Sequence, residues 1–88
     1  MSTLTHYLKQ NMKKLYGTFR DDETLHEVLR RRLTKKEYKL LRFLADGVAS
    51  EAIAKELGYE VTEIAEFERK LVKKLNQSKI KEEILAES

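Results

Sequence analysis

Between Leu33 and Leu75 the chain is punctuated so closely that it admits little except three short helices in succession. Thr34 and Glu37 have the T-x-x-E spacing of a capping box, and Leu33 and Tyr38 are placed as a hydrophobic staple across it. A helix is therefore predicted from Lys35, with Gly47 ending it. The hydroxyl of Ser50 is suited to cap a second helix that carries Ile53, Ala54 and Leu57 on one face and stops at Gly58. A third follows, with Val61, Ile64, Phe67, Leu71 and Leu75 on a helical stripe. Glu60 is a poor cap beside Ser or Thr, so Thr62 is the alternative, starting that helix about two residues late. A helix, a short turn containing Gly and a second helix make the helix-turn-helix pattern, and Ala54 is small enough for the close crossing it needs.

Leu33, Thr34, Glu37, Leu41, Leu44, Ala45, Gly47, Ile53, Ala54, Leu57, Ile64, Leu71, Lys74 and Leu75 fall in the order and spacing of the LuxR-type (GerE-like) helix-turn-helix domain. This stretch, about half of the chain, resembles that family and is similar to the fourth region of bacterial sigma factors. The resemblance implies a bacterial transcription regulator that places its third helix in the major groove of double-stranded DNA and uses a final helix as a dimer contact. The DNA-facing positions depart from the family. Where its third helix opens with a small polar cap, Thr, Val, a basic residue and His, this chain has Glu60, Glu63, Ile64, Ala65 and Phe67. Its second helix opens with Ala49, Ser50 and Glu51 in place of Ser, Asn and Lys.

With no proline, three glycines, 41% apolar and 38% charged residues, the 88-residue chain is expected to be all-α, with five or six helices and no sheet. The expected architecture is a small helix-turn-helix bundle with two additional N-terminal helices and a short C-terminal helix. It reads as one domain: an extension over 1–32, the core over 33–75 and the last helix over 76–88. No cysteine and no apolar run near the roughly 20 residues of a membrane span point to a soluble, cytoplasmic protein.

The flanks carry helical patterns of their own. Leu4, Leu8, Met12 and Leu15, with Tyr7, Tyr16 and Phe19 beside them, predict a helix from about 3 to 16 ended by Gly17, with Lys9, Lys13 and Lys14 on its solvated side. Asp21 or Asp22 caps a second helix whose face is Leu25, Val28, Leu29 and Leu33. Arg30, Arg31 and Arg32 suit its C-terminal dipole, although three successive arginines cannot all serve one cap and could meet nucleic acid or an acidic partner. Asn76 is placed as a left-handed residue after Leu75, and Ser78 as the cap of a last helix bearing Ile80, Ile84 and Leu85. These stripes must be covered by the core or by a second copy, and the second case would make a homodimer.

Chemistry-bearing constellations are sparse. His6 and His26 have no evident carboxylate or cysteine partner, no metal-ligand spacing or glycine-rich phosphate loop is visible, and neither an enzyme nor a cofactor is expected. Charge is strongly patterned: residues 30–42 hold seven basic against one acidic, and residues 43–68 one basic against seven acidic. Two readings follow. In one, Lys35, Lys36, Lys55, Arg69, Lys70, Lys73 and Lys74 hold DNA phosphates while Thr62, Glu63 and Glu66 lead into the groove, where a carboxylate can accept from cytosine N4. In the other, the acidic face meets a basic protein.

Overall fold

The computed structural model describes residues 3–13, 15 and 17–86, and among them six helices and one minimal strand pair. In chain order these are α1 (Thr3–Asn11), β1 (Thr18–Phe19), α2 (Asp22–Arg32), α3 (Lys35–Ala45), α4 (Ser50–Leu57), α5 (Val61–Leu75), α6 (Ser78–Ile84) and β2 (Leu85–Ala86). The architecture is all-helical, as the apolar spacing predicts.

The strongest sequence signals set their boundaries as expected. Thr34 Oγ1 accepts from the Glu37 N–H at 3.2 Å, and the Glu37 carboxylate accepts from the Thr34 N–H at 2.8 Å, which fixes the start of α3. At its other end Gly47, at φ 76°, donates to Leu44 O while Val48 donates to Phe43 O, the paired bonds of a Schellman ending.

Weaker signals are displaced by tertiary partners. The first helix stops at Asn11 rather than near residue 16, because the chain beyond it is claimed by α5: Lys13 N–H donates to Asn76 Oδ1 at 2.8 Å. Met12 and Leu15 still pack on the core, whereas Lys14 and Tyr16 lie outside the described residues. Asn76 is not left-handed (φ −84°, ψ 1°); its side-chain amide instead donates to Val72 O at 2.9 Å and satisfies that last-turn carbonyl directly. Ser50 and Ser78 are the first helical residues, and Ala49 and Gln77 hold the capping positions without side-chain cap bonds. Asp21 does stand at the cap of α2, but its side chain makes no cap bond. A ladder two residues long, Thr18 opposite Ala86 and Phe19 opposite Leu85, had no period-two signal to announce it.

One apolar cluster unites all six helices. Leu8, Leu25, Leu29, Leu40, Leu41, Ile53, Ile64, Leu71, Leu75 and Ile84 are wholly buried in it, and no polar residue is buried among those described. α1 packs on α3, and α2 bridges α3 and α6. The stripes of both flanks are thus covered by the chain itself, which removes the reason for expecting a second copy to cover them. The arginine cluster has a tertiary role: Arg31 (3.2 Å) and Arg32 both pair with Glu83 of α6, and Arg20 Nε donates to the Glu83 carbonyl at 2.8 Å. No helix among the described residues is long and apolar enough to cross a membrane.

Two predictions follow from this packing. Ile84→Ala should lower stability by about 2–5 kcal/mol in urea denaturation, independently of protein concentration. A midpoint that moves with concentration would place Ile84 at an interface between copies instead. The second concerns acid. Hydrogen bonds from Arg32 first and, beyond some cost of burial, from Arg31 hold the Glu83 carboxyl at about 2, below its usual 4.5. A depressed carboxyl contributes stability above the unfolded value, lost as pH falls from about 4.5 through about 2. Glu83→Gln should therefore be the less stable protein at neutral pH, with the two urea midpoints converging near pH 2. Parallel curves across that window would refute the assignment.

Candidate nucleic-acid interface

The α4–turn–α5 unit is built on three local features. Ile53 and Ala54 turn inward and are buried, so α4 lies close against α5. Gly58 takes φ 74° and ψ 34°, a left-handed conformation that costs a residue without Cβ little, and both Gly58 and Tyr59 donate to Ala54 O. Glu60 then caps α5, correcting the choice of Thr62: the Glu63 carboxylate three residues on accepts from the Glu60 N–H at 3.0 Å, so the helix starts at Val61 without delay. Val61 itself leaves the predicted stripe and is 46% exposed.

Ile64, Leu71 and Leu75 anchor the inner face of α5. The opposite face carries Thr62, Glu66, Arg69 and Lys73 at spacings of three and four, with Lys70 beside them, all exposed. Five of the ten residues singled out from the sequence are therefore gathered on one helical face. The others go elsewhere. Lys74 pairs with Glu37 at 2.9 Å and is partly buried, which withdraws it from any outer contact. Burial pushes the Glu37 carboxyl up, but the bonds from Thr34 and Lys74 outweigh it and leave the group below its ordinary value. Lys35 and Lys55 are exposed on α3 and α4. Lys36 donates to the Tyr59 hydroxyl at 3.2 Å with its ammonium 5.0 Å from the ring centre.

The glutamates of α5 prove to be largely occupied. Glu63 serves the cap, Glu66 pairs with Arg69 one turn on, and Glu68 accepts the Tyr7 hydroxyl at 2.8 Å. Burial, and then the bond to Glu68, raise the Tyr7 phenol, which keeps it protonated as the donor. These contacts hold α5 in place, and of the three carboxylates Glu66 alone has a cationic partner in them.

Tyr59, Glu63, Glu66, Phe67 and Lys70 line an open cleft of about 210 Å³, below the roughly 300 Å³ at which small-molecule sites begin. Phe67 lies at its rim, edge-on to Tyr59 with centroids 5.8 Å apart. Sequence reasoning gave Tyr59 no role; an aromatic directly after a helix-ending glycine was the available signal. His26, read as unpartnered, meets the Tyr38 hydroxyl at 2.6 Å and Asp22 at 3.6 Å. No group of three or more His, Cys, Asp or Glu suited to a metal ion occurs among the described residues.

In comparisons with known proteins, no family model, no curated protein and no solved structure matches the chain. The cap of α5 offers a direct check on this geometry. Glu63→Ala should cost about 1 kcal/mol of stability, the usual worth of a cap, and fray the first turn of α5. Amide exchange at Glu60 and Glu63 reads the fraying; unchanged protection there would dismiss the capping role.

Proposed function

We propose that the chain is a helix-turn-helix DNA-binding protein acting in transcription regulation, with α5 as the helix that enters the major groove. The observation that carries this reading is the division of labour on α5. Its outer face presents Thr62, Glu66, Arg69, Lys70 and Lys73, while Glu63 and Glu68 are bound to internal donors. Lys70 and Lys73 lie on the later turns, where ammonium groups can hold backbone phosphates, and Lys35, Lys36 and Lys55 extend the cationic set onto α3 and α4. The resemblance to LuxR-type domains points the same way.

A second reading, docking to a basic protein surface, is favoured by the exposed Glu51 and Glu56 of α4 and by Glu60 at the start of α5. The two separate on charge removal. For DNA, affinity falls steeply with salt, and the Lys70→Gln, Lys73→Gln double variant lowers the slope of log K against log salt by about 2. Glu66→Gln strengthens non-specific binding by removing a negative charge from the approaching face. Anisotropy titrations of a labelled duplex over a series of salt concentrations measure both effects. Absence of binding at tens of micromolar protein in low salt would end the DNA reading in favour of the protein partner.

A further inference from the structure

Resting on the DNA-binding reading, we infer that Glu66 and Arg69 act together as the reader of a single C·G base pair. They are the members of the outer face of α5 whose side chains contact each other, carboxylate to guanidinium, three residues apart. Both project into solvent, with side-chain exposures of 53% and 75%. A C·G pair displays in the major groove the complement of this couple: guanine offers O6 and N7 to a forked donor, and cytosine offers its N4 amino group to an acceptor. The planar guanidinium matches the guanine edge with two parallel bonds, a geometry that the ammonium groups of Lys70 and Lys73 cannot supply.

Glu63 is held at the cap, Glu68 by Tyr7 and Lys74 by Glu37, while the exposed Lys70 and Lys73 carry ammonium groups without a fork, so this couple supplies the forked donor and the carboxylate of the outer face. Because the couple is solvent-exposed, its mutual attraction is screened and is readily exchanged for the edges of a base pair. Three residues of helix advance about 4.5 Å, which keeps both groups within reach of one base pair and its neighbour. At an A·T pair the fit is lost: the guanidinium meets the adenine N6 amino group, donor against donor, and the carboxylate meets thymine O4, acceptor against acceptor. Thr62, one turn earlier on the same face, meets the adjoining step with a hydroxyl and a methyl that tolerate several bases.

The test is one round of capture from a pool of duplexes with a randomised centre, sequenced for the wild type, Glu66→Gln, Arg69→Gln and Lys70→Gln, with helix content checked for each. The wild type is expected to enrich one C·G position by about tenfold over A·T. Arg69→Gln and Glu66→Gln should each lower that enrichment severalfold, since each removes one half of the reading of the same pair. Lys70→Gln should weaken capture while keeping the preference. Capture without any base preference, or a preference untouched by both the Glu66 and Arg69 changes, overturns this inference and leaves the DNA-binding reading standing. A wild type that captures no duplex at low salt overturns both.

Discussion

Leu40 and Leu41 are consecutive and both wholly buried, although neighbouring side chains on a helix point about 100° apart. No single packing partner covers so wide an arc. α3 therefore needs neighbours on both sides, and it has them: α1 and α2 on the one hand, α4 and α5 on the other. The two N-terminal helices complete a core that α3, α4 and α5 alone leave open along α3. The Tyr7–Glu68 bond then reaches from α1 to α5 and joins the two halves directly.

How far this was legible depends on whether a signal is complete within a few residues. Thr34 with Glu37, Gly47 and Gly58 each satisfy their own backbone groups locally, and they stand where the sequence puts them. Ser50 and Ser78 are good capping residues that sit one position too late, because Ala49 and Gln77 are where the chain turns. Asn76 was recognisable as a helix terminator, but it works through its side chain, whose amide meets Val72 O and whose Oδ1 accepts from Lys13, 63 residues away. For the candidate site the inner face of α5 was readable from periodicity, whereas the fate of its glutamates was not. Whether a carboxylate faces solvent, an arginine on its own helix or a distant tyrosine is decided by tertiary packing.

That fate changes how the charge pattern bears on function. Seven acids against one base between residues 43 and 68 suggest a surface hostile to phosphate. Asp46 accepts from Thr3, Glu63 from the Glu60 amide and Glu68 from Tyr7, so part of the block is a set of structural ties that keep their negative charge, while Arg69 opposes the charge of Glu66. The remaining exposed acids lie toward α4 and the start of α5, and the cations toward its later turns. α5 is consequently polarised along its length, which gives any elongated charged partner a preferred direction.

The two-residue ladder between β1 and β2 is far too short to persist by itself, since even an isolated hairpin is marginal in water. Its strands come from opposite ends of the described chain, with Arg20 N–H donating to Ile84 O across 64 residues. Such pairing holds because α2 and α6 have already been brought together by Leu25, Leu29, Ile80 and Ile84 and by the Glu83 contacts. The ladder is thus a result of docking rather than a cause of it. The Arg20 amide becomes a built-in gauge of that docking: its hydrogen-exchange protection registers every opening of α6 from α2, including those too brief or too local to disturb the helices themselves.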